Sequence, residues 1–350
     1  MILILIVVLS IYFIHKNKKC PPPKECPPPK ECPPPKECPP PKECPLPQKN
    51  IKKIIKDWKG IDLRPESNKG WNYFTEYDPT NGSVNYGKHP ELFENISDSI
   101  KIKVSETPNT DGTRNSIRIF TTDIFNSGIF VASIDHIPSG QGVWSALWLT
   151  SSYDWPCNGE IDIIEGANSI KNRPENSRNQ STLHTKSGCI QNISGIINSD
   201  CNEGPKNSKC GSCGASCPFI GCGIKWGYNT FGYEFNNKTP IGGIFICELT
   251  TDGQISMWLV DKNIIQQNDT MLDMNSLPKP QIQFNKCTNY FKDLRLIINT
   301  TLCGDWAGNQ YVDEKNPSLR GWDVCKEAIK STYYKMEDAY WLINWIKIFD

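Results

Sequence analysis

The chain has 350 residues, and its 38 lysine and arginine residues balance its 38 aspartate and glutamate residues, so the formal net charge is zero. This balance argues against a nucleic-acid partner, which needs a basic surface to neutralise phosphates, and against an acidic substrate. The composition therefore favours a neutral substrate, and the length allows one large domain plus additional segments.

Residues 1–14 are almost entirely apolar, and a basic cluster, residues 15–19, follows at once. As a helix, the apolar run would cover about 21 Å, less than the roughly 30 Å of a bilayer core. A signal peptide would carry its positive charge before the apolar run and small residues at a cleavage site. Here the charge comes after the run, so we expect residues 1–19 to be an uncleaved membrane anchor, with a short signal peptide as the alternative.

The next segment repeats Cys-Pro-Pro-Pro-Lys-Glu four times from Cys20, and a degenerate fifth copy begins at Cys44. Proline favours the polyproline II helix, which has three residues per turn and rises about 3.1 Å per residue. A six-residue period therefore places the five cysteines on one edge. We expect residues 20–49 to form a semi-rigid stalk of roughly 90 Å. Its cysteines either join neighbouring chains into a disulfide-linked oligomer or bind nothing.

Eleven further cysteines lie between Cys157 and Cys325. This usage predicts disulfides and an oxidising destination. The alternative is a zinc site around Cys210 and Cys213, but a four-thiolate site usually needs two CxxC pairs and only one is present. Because eleven is odd, at least one of these thiols is free or pairs elsewhere.

The expected location is membrane-anchored or secreted, with the globular part outside the cell or on a virion surface. One observation conflicts with this expectation. The basic cluster after the apolar run would by itself keep the rest of the chain on the cytoplasmic side. The sequence does not decide between the two orientations.

The remaining residues, 50–350, are expected to form the catalytic domain, with residues 50–57 serving as a connection. Short runs rich in β-branched and aromatic residues, such as 116–120, 128–132 and 254–260, alternate here with turn residues. No long amphipathic helix is evident. This pattern predicts an all-β jelly-roll sandwich with long loops.

The strongest local signal is Asn-Gly-Glu-Ile-Asp-Ile-Ile-Glu-Gly at residues 158–166. In a regular strand, Glu160 and Asp162 would point to one face and Glu165 to the other. A β-bulge around residues 163–164 would return Glu165 to the face of the other two acids. The alternatives are a cation site, for which the interleaved isoleucines are unusual, and a strand with a merely polar outer face.

Three acids on one face would repel one another, so one carboxyl should stay protonated near neutral pH. Glycoside hydrolysis needs this combination, with one carboxylate to attack and one carboxylic acid to protonate the leaving oxygen. A separation of about 5–5.5 Å would imply the retaining, double-displacement route.

The run Glu-Ile-Asp-Ile-Ile-Glu resembles the signature of family 16 glycoside hydrolases in the version that carries the β-bulge. The resemblance extends to the fungal laminarinase-like endo-1,3(4)-β-glucanase branch, because further stretches match in the same order along the chain. These stretches are residues 78–86, 142–148, 155–156, 180–185, 300–308 and 339–344.

The resemblance implies a concanavalin-like jelly roll with a cleft across its concave sheet, and a β-1,3-glucan or mixed β-1,3/1,4-glucan as substrate. It implies that Glu160 is the nucleophile, Glu165 the acid/base and Asp162 the group between them that tunes the nucleophile. It places His184 in the cleft near the acid/base. The residues expected to bind substrate are Trp148, Trp155, His184, Trp306 and Asn168. No metal and no cofactor are expected.

This chain departs from the family's pattern at Cys157 and in the cysteine-rich insert at 201–222. The leading hypothesis is a retaining endo-β-glucanase. A β-glucan transglycosylase would share every catalytic residue. A non-catalytic carbohydrate-binding or structural surface protein is the third possibility, against which the intact acids argue.

Overall fold

The structure, a computed structural model, describes residues 50–169, 178–186, 188–196, 221–226 and 243–350. The expected anchor and stalk and most of the insert at 201–222 lie outside these ranges, so the expectations for them remain predictions. Within the described ranges, no helix is both long enough and apolar enough to cross a membrane.

The described residues form eighteen strands and one short α-helix, α1 (Trp322–Ile329). In chain order the strands are β1 (Ile51–Lys59), β2 (Trp71–Tyr73), β3 (Val84–Tyr86), β4 (Phe93–Ile96), β5 (Ser99–Lys103), β6 (Arg114–Ser116), β7 (Arg118–Thr121), β8 (Gly128–His136), β9 (Val143–Ser151), β10 (Glu160–Ala167), β11 (Arg178–His184), β12 (Cys222–Lys225), β13 (Gly243–Leu249), β14 (Ile255–Asp261), β15 (Met271–Asp273), β16 (Ile282–Phe284), β17 (Leu294–Leu302) and β18 (Tyr340–Phe349). Single turns of 3₁₀ or π helix occupy Gly60–Leu63, Pro65–Ser67, Pro90–Leu92, Met274–Ser276 and Gly304–Gly308.

Most strands belong to two antiparallel sheets. The seven-stranded sheet has the order β12-β11-β10-β9-β17-β7-β2. The nine-stranded sheet has the order β15-β1-β18-β8-β13-β14-β16, with β5 also paired to β18 and β4 paired to β5. Strands β3 and β6 form a small parallel pair. The predicted all-β sandwich is confirmed.

The main hydrophobic core lies between the inner faces of the two sheets. Because side chains alternate along a strand, every second residue of the seven-stranded sheet points into this core. These residues are Ile119, Leu147, Leu149, Ile161, Leu183, Leu296 and Ile298. The residues between them point to the opposite, outer face. That outer face is where polar side chains can reach a substrate.

The nine-stranded sheet is apolar on both faces at its centre. One face contributes to the main core through residues such as Phe130, Phe245 and Ile346. The other face forms a second cluster that includes Val131, Trp258 and Trp345. A sheet covered on both sides is a rigid support for the opposite sheet.

The predicted runs 128–132 and 254–260 correspond to β8 and β14. The run 116–120 is instead divided between β6 and β7, with Ile117 between them. The expectation that residues 50–57 only connect is wrong, because β1 (Ile51–Lys59) pairs with both β15 and β18. Its alternating exposure marks it as a strand with one solvent-exposed face.

Two disulfides join distant parts of the fold: Cys189–Cys287, which spans 98 residues, and Cys303–Cys325. Cys157 and Cys222 are also disulfide-bonded. Among the described cysteines, the thiol of Cys247 is free, and it is buried. The preference for disulfides is therefore confirmed for these residues, as is the expectation of an unpaired thiol.

Strand β10 contains the predicted β-bulge. Against β9, Asp162 pairs with Trp148 and the next pair is Ile164 with Leu147, so Ile163 is an extra residue. Ile163 and Ile164 are consecutive, yet both are buried in the main core. Burying an isoleucine is worth roughly 1.5–3 kcal/mol, which offsets the locally broken ladder.

The bulge also has its own hydrogen bond. The hydroxyl of Ser181 on β11 donates to the carbonyl oxygen of Ile163 at 2.6 Å. The same hydroxyl accepts a hydrogen bond from Nε1 of Trp226 at 2.8 Å. Ser181 is fully buried, so neither partner could turn to water instead.

We expect Ser181→Ala to lower the free energy of unfolding by about 1–3 kcal/mol, because it leaves a buried carbonyl and a buried indole N–H without a partner. Urea unfolding measures this loss. The matched control is Ser276→Ala, which removes an exposed serine bonded to the carbonyl of Asp273 at 2.7 Å. The control should cost less than about 0.5 kcal/mol. Equal losses in the two variants would contradict the role given to Ser181.

Candidate active site

The three acids of the signature lie on the outer face of the seven-stranded sheet. Glu160 is paired with His184, Asp162 with Thr182 and, after the bulge, Glu165 with Gln180. These three partners alternate along β11 and share one face. The bulge therefore brings all three carboxyl groups to the same side, as the sequence predicted.

Glu160 lies at the edge of the cluster and keeps some exposure, 12% of its side chain. Its Oε2 accepts a hydrogen bond from Nε1 of Trp155 at 2.9 Å. Its Oε1 lies 3.6 Å from Nε2 of His184. A hydrogen-bond donor and an imidazole thus flank this carboxyl and favour its charged form.

Asp162 is the most enclosed of the three and is 3% exposed. Its Oδ2 lies 3.5 Å from Nε2 of His184. That oxygen has no hydrogen-bond partner among the described residues. A buried carboxylate oxygen in this position is costly when charged, so the site favours a protonated Asp162.

Glu165 is held by residues of both neighbouring strands. Its Oε1 accepts hydrogen bonds from Thr182 Oγ1 at 2.5 Å and from Gln180 Nε2 at 3.1 Å. Its Oε2 makes one longer contact, 3.4 Å, with Nε1 of Trp144. Two donors therefore hold one carboxyl oxygen, and within the described part of the chain the other makes only this longer contact.

Burial and mutual repulsion raise two of these pKa values. The pKa of Glu160 is raised to about 8, chiefly by burial and next by the charge of Asp162, while His184 and the Trp155 N–H oppose the rise. Burial and the charge of Glu165 hold the pKa of Asp162 well above its usual value. The cluster therefore retains at least one proton at neutral pH.

His184 lies beside Glu160 and Asp162 in the acid cluster. The expected neighbour was Glu165, but the strand partner of Glu165 is Gln180, and His184 is four residues further along β11. At about 3.4 Å per residue this is a spacing of about 14 Å along the backbone of the strand. His184 faces Glu160 and Asp162, and the role expected for it in the cleft stays a prediction.

The predicted tryptophans take different places. Trp155 contacts Glu160 through its N–H, and its ring lies 5.7 Å from that of His184. Trp148 is half-buried beside Asp162 and donates to Asn299 Oδ1 at 2.7 Å. Trp306 is also half-buried and packs edge-on against Trp144, with ring centroids 5.5 Å apart.

Asn168 lies at the end of β10 in a left-handed backbone conformation, with φ of 55°. Its Oδ1 accepts from the backbone N–H of Gly142 at 2.7 Å, and its Nδ2 donates to the carbonyl of Ala307 at 2.9 Å. Both polar atoms are thus bonded to the loops that lead to Trp144 and Trp306. This arrangement favours a positioning role for Asn168.

Several neighbours of the acids were missed from the sequence: Trp144, Gln180, Thr182, Arg118 and Asn299. Most of them could have been predicted from the alternation of side chains along a strand, which repeats every two residues. Trp144 shares a face with Trp148 on β9, and Gln180 and Thr182 share a face with His184 on β11. Arg118 gave no such signal, since only the pairing of β7 with β17 brings its guanidinium to within 4.9 Å of the Trp148 ring.

The possible ligand atoms for a metal are also grouped here. One oxygen each of Glu160 and Asp162 and one nitrogen of His184 lie within 4.8 Å of one another. Two of the three acids of the signature are therefore among these possible metal ligands.

Solved structures of two family 16 enzymes are among those similar to this fold. One is a family 16 laminarinase, Laminarinase 16A, from Phanerochaete chrysosporium, with two β-glucans in its donor and acceptor sites. Its TM-score is 0.70 and its sequence identity 25%, and the match covers 86% of this chain and all of that one. The other is an elongating family 16 β-1,3-glucosyltransferase, with a TM-score of 0.69 and 26% identity over 85% of this chain and all of that one.

Among curated proteins, a probable endo-1,3(4)-beta-glucanase of Neosartorya fischeri is 30% identical over 323 residues. The match covers 86% of this chain but 46% of the relative, so the chain spans about half the length of the curated relatives it matches. A family model described as "XgeA-like, catalytic GH16 domain" matches residues 71–349. The predicted family is confirmed: the chain belongs to glycoside hydrolase family 16, and its catalytic domain is of the XgeA-like type.

Proposed function

We propose that this chain is a retaining endo-β-glucanase that hydrolyses β-1,3-glucan or mixed β-1,3/1,4-glucan by double displacement. The observation that carries the proposal is the bulge in β10, which places Glu160, Asp162 and Glu165 on one face. The neutral net charge of the chain and the tryptophans beside the acids fit an uncharged polysaccharide. The related laminarinase and the fungal glucanases support the same substrate class.

In this mechanism Asp162 is protonated throughout, and Glu165 carries the proton that is transferred. Its buried Oδ2 lacks a hydrogen-bond partner among the described residues, whereas Glu160 receives the Trp155 N–H. With Asp162 neutral, the charge that contributes to raising the pKa of Glu160 is removed. Glu160 attacks in its ionised form, whose population rises as the pH approaches its pKa of about 8.

The first step forms a bond between Glu160 and the anomeric carbon of the sugar and breaks the bond from that carbon to the leaving oxygen. Glu165 gives its proton to that oxygen. Thr182 and Gln180 hold Oε1 of Glu165, so Oε2 is the atom placed to transfer the proton. In the second step Glu165 takes a proton from water, the water oxygen bonds to the anomeric carbon, and Glu160 is released.

Arg118 and Trp148 are suited to hold a sugar ring next to the acids. The guanidinium of Arg118 lies between two aromatic rings, 4.2 Å from the centroid of Phe74 and 4.9 Å from that of Trp148. Its Nε is buried without a hydrogen-bond partner among the described residues. The rings fix the guanidinium, and its remaining N–H groups can donate to sugar hydroxyls.

We expect the chain to release reducing sugar from laminarin and barley β-glucan but not from cellulose or agarose. Glu160→Gln should lower this rate by at least about a thousandfold, because the variant lacks the nucleophile. Reducing-sugar assays measure both effects. The control is Glu94→Gln, which changes an exposed glutamate paired with Lys103 and should leave the rate unchanged.

Products formed with excess acceptor sugar separate hydrolysis from transglycosylation. Longer oligosaccharides as the main products would replace hydrolysis with glucosyl transfer, the activity named for the similar glucosyltransferase. A folded chain that binds these glucans but releases nothing would contradict both enzyme activities.

Stability should depend on pH through Glu160. Since its folded pKa of about 8 exceeds the usual value near 4.3, the folded state binds the extra proton between these pH values. Stability is therefore lost as the pH rises through this window. We expect Glu160→Gln to be more stable than the wild type at pH 8, with a smaller advantage at pH 5, in urea unfolding. The control is Glu337→Gln, which changes an exposed glutamate. A difference in the free energy of unfolding between Glu160→Gln and the wild type that does not grow with pH would contradict the raised pKa of Glu160.

We further propose that residues 1–14 anchor the chain in a membrane, that the catalytic domain lies outside the cell or on a virion surface, and that the stalk cysteines link neighbouring chains. The disulfides Cys189–Cys287 and Cys303–Cys325 support an oxidising location. The even six-residue spacing of the stalk cysteines supports cross-linking.

On non-reducing gels we expect covalent oligomers that collapse to monomers after reduction. Replacing the five stalk cysteines with serine should abolish these oligomers without changing glucan hydrolysis. A wild-type chain that runs only as a monomer without reductant would exclude the cross-link. Recovery of the chain in the soluble fraction, away from membranes, would exclude the anchor.

A further inference from the structure

The side chains of Glu160, Asp162 and His184 point at a common centre. Nε2 of His184 lies 3.6 Å from Glu160 Oε1 and 3.5 Å from Asp162 Oδ2. All three ligand atoms lie within 4.8 Å of one another. Both nitrogen–oxygen distances exceed the 2.7–3.2 Å of a good N–H···O hydrogen bond. The two carboxylates therefore lie beside the imidazole nitrogen at similar distances.

From this geometry we propose that Glu160, Asp162 and His184 form a binding site for a divalent cation of the zinc class, which inhibits the enzyme by occupying the cleft. The mechanism derived above uses the same carboxyls without a metal. The cation would therefore be an inhibitor that competes with the sugar.

The distances favour zinc over calcium. Zinc binds imidazole nitrogen and carboxylate oxygen at about 2.0–2.2 Å in tetrahedral sites, which places neighbouring ligand atoms about 3.4 Å apart. The two distances from Nε2 of His184, 3.6 and 3.5 Å, are close to this spacing between ligand atoms. Calcium instead takes six to eight oxygen ligands at 2.3–2.6 Å and does not select imidazole.

Asp162 supplies an independent reason for a ligand here. Its side chain is buried, and its Oδ2 faces His184 with no hydrogen-bond partner among the described residues. Buried carboxylate oxygens are normally bonded to donors or to a metal. A cation at the common centre would satisfy this oxygen and neutralise the repulsion between the two acids.

A calorimetric titration with Zn²⁺ tests the site. The 350-residue chain is prepared without an affinity tag and alkylated, so that the stalk thiols do not compete. We expect Zn²⁺ to bind the wild-type chain, and His184→Gln and Asp162→Asn each to weaken the affinity about tenfold or more. The control is His89→Gln, which removes another histidine beside a carboxylate, 3.4 Å from Glu91, and should bind zinc like the wild type.

Equal zinc affinity in all four proteins, or no binding at millimolar zinc, would overturn the proposal. With glucan present, zinc should raise the apparent KM, and a chelator should restore it. Non-competitive inhibition would overturn the placement of the cation in the cleft. The inhibition assay rests on the proposed function, whereas the calorimetric titration with zinc does not. Zinc binding by a chain that hydrolyses no glucan would therefore contradict the glucanase activity and not the metal site.

Discussion

The burial of two consecutive isoleucines decides the chemistry of this fold. In a regular strand Ile163 and Ile164 would face opposite sides, but both lie in the main core. The strand accommodates them only by a bulge, and the Ser181 hydroxyl bonds to the carbonyl of the extra residue. The bulge reverses the alternation of β10, so Glu165 joins Glu160 and Asp162 on the outer face. A packing requirement on one side of the sheet thus produces the acid cluster on the other.

Because the three carboxyl groups lie close together, each raises the cost of charging the others. Three carboxyls on one face cannot all be charged at neutral pH, and burial increases the cost. Their surroundings differ, however: Trp155 donates to Glu160, Thr182 and Gln180 donate to Glu165, and Asp162 Oδ2 has no donor among the described residues. These differences give three similar groups three different roles. The grouping that suits glycoside hydrolysis is also one that would suit a small divalent cation.

Much of this arrangement could be predicted from the sequence, because its causes are local. The spacing of Glu160, Asp162 and Glu165 among isoleucines indicated the strand, the bulge and the shared face, and alternating runs indicated the all-β fold. Contacts that depend on strand pairing could not be read in this way. The contacts of His184 with Glu160 and Asp162 could not be read from the sequence, because the register of β11 against β10 decides them. Arg118 and Asn299 were missed because β7 and β17 are far apart in the chain and are adjacent only in the sheet.

The central claim is that Glu160 is the nucleophile of a double displacement. The direct measurement is mass spectrometry of the chain after incubation with a 2-fluoro-glucan fluoride, which slows release of the glycosyl group. We expect a covalent sugar on Glu160. An adduct on Asp162 or Glu165, or no adduct on a chain that hydrolyses glucan, would contradict it.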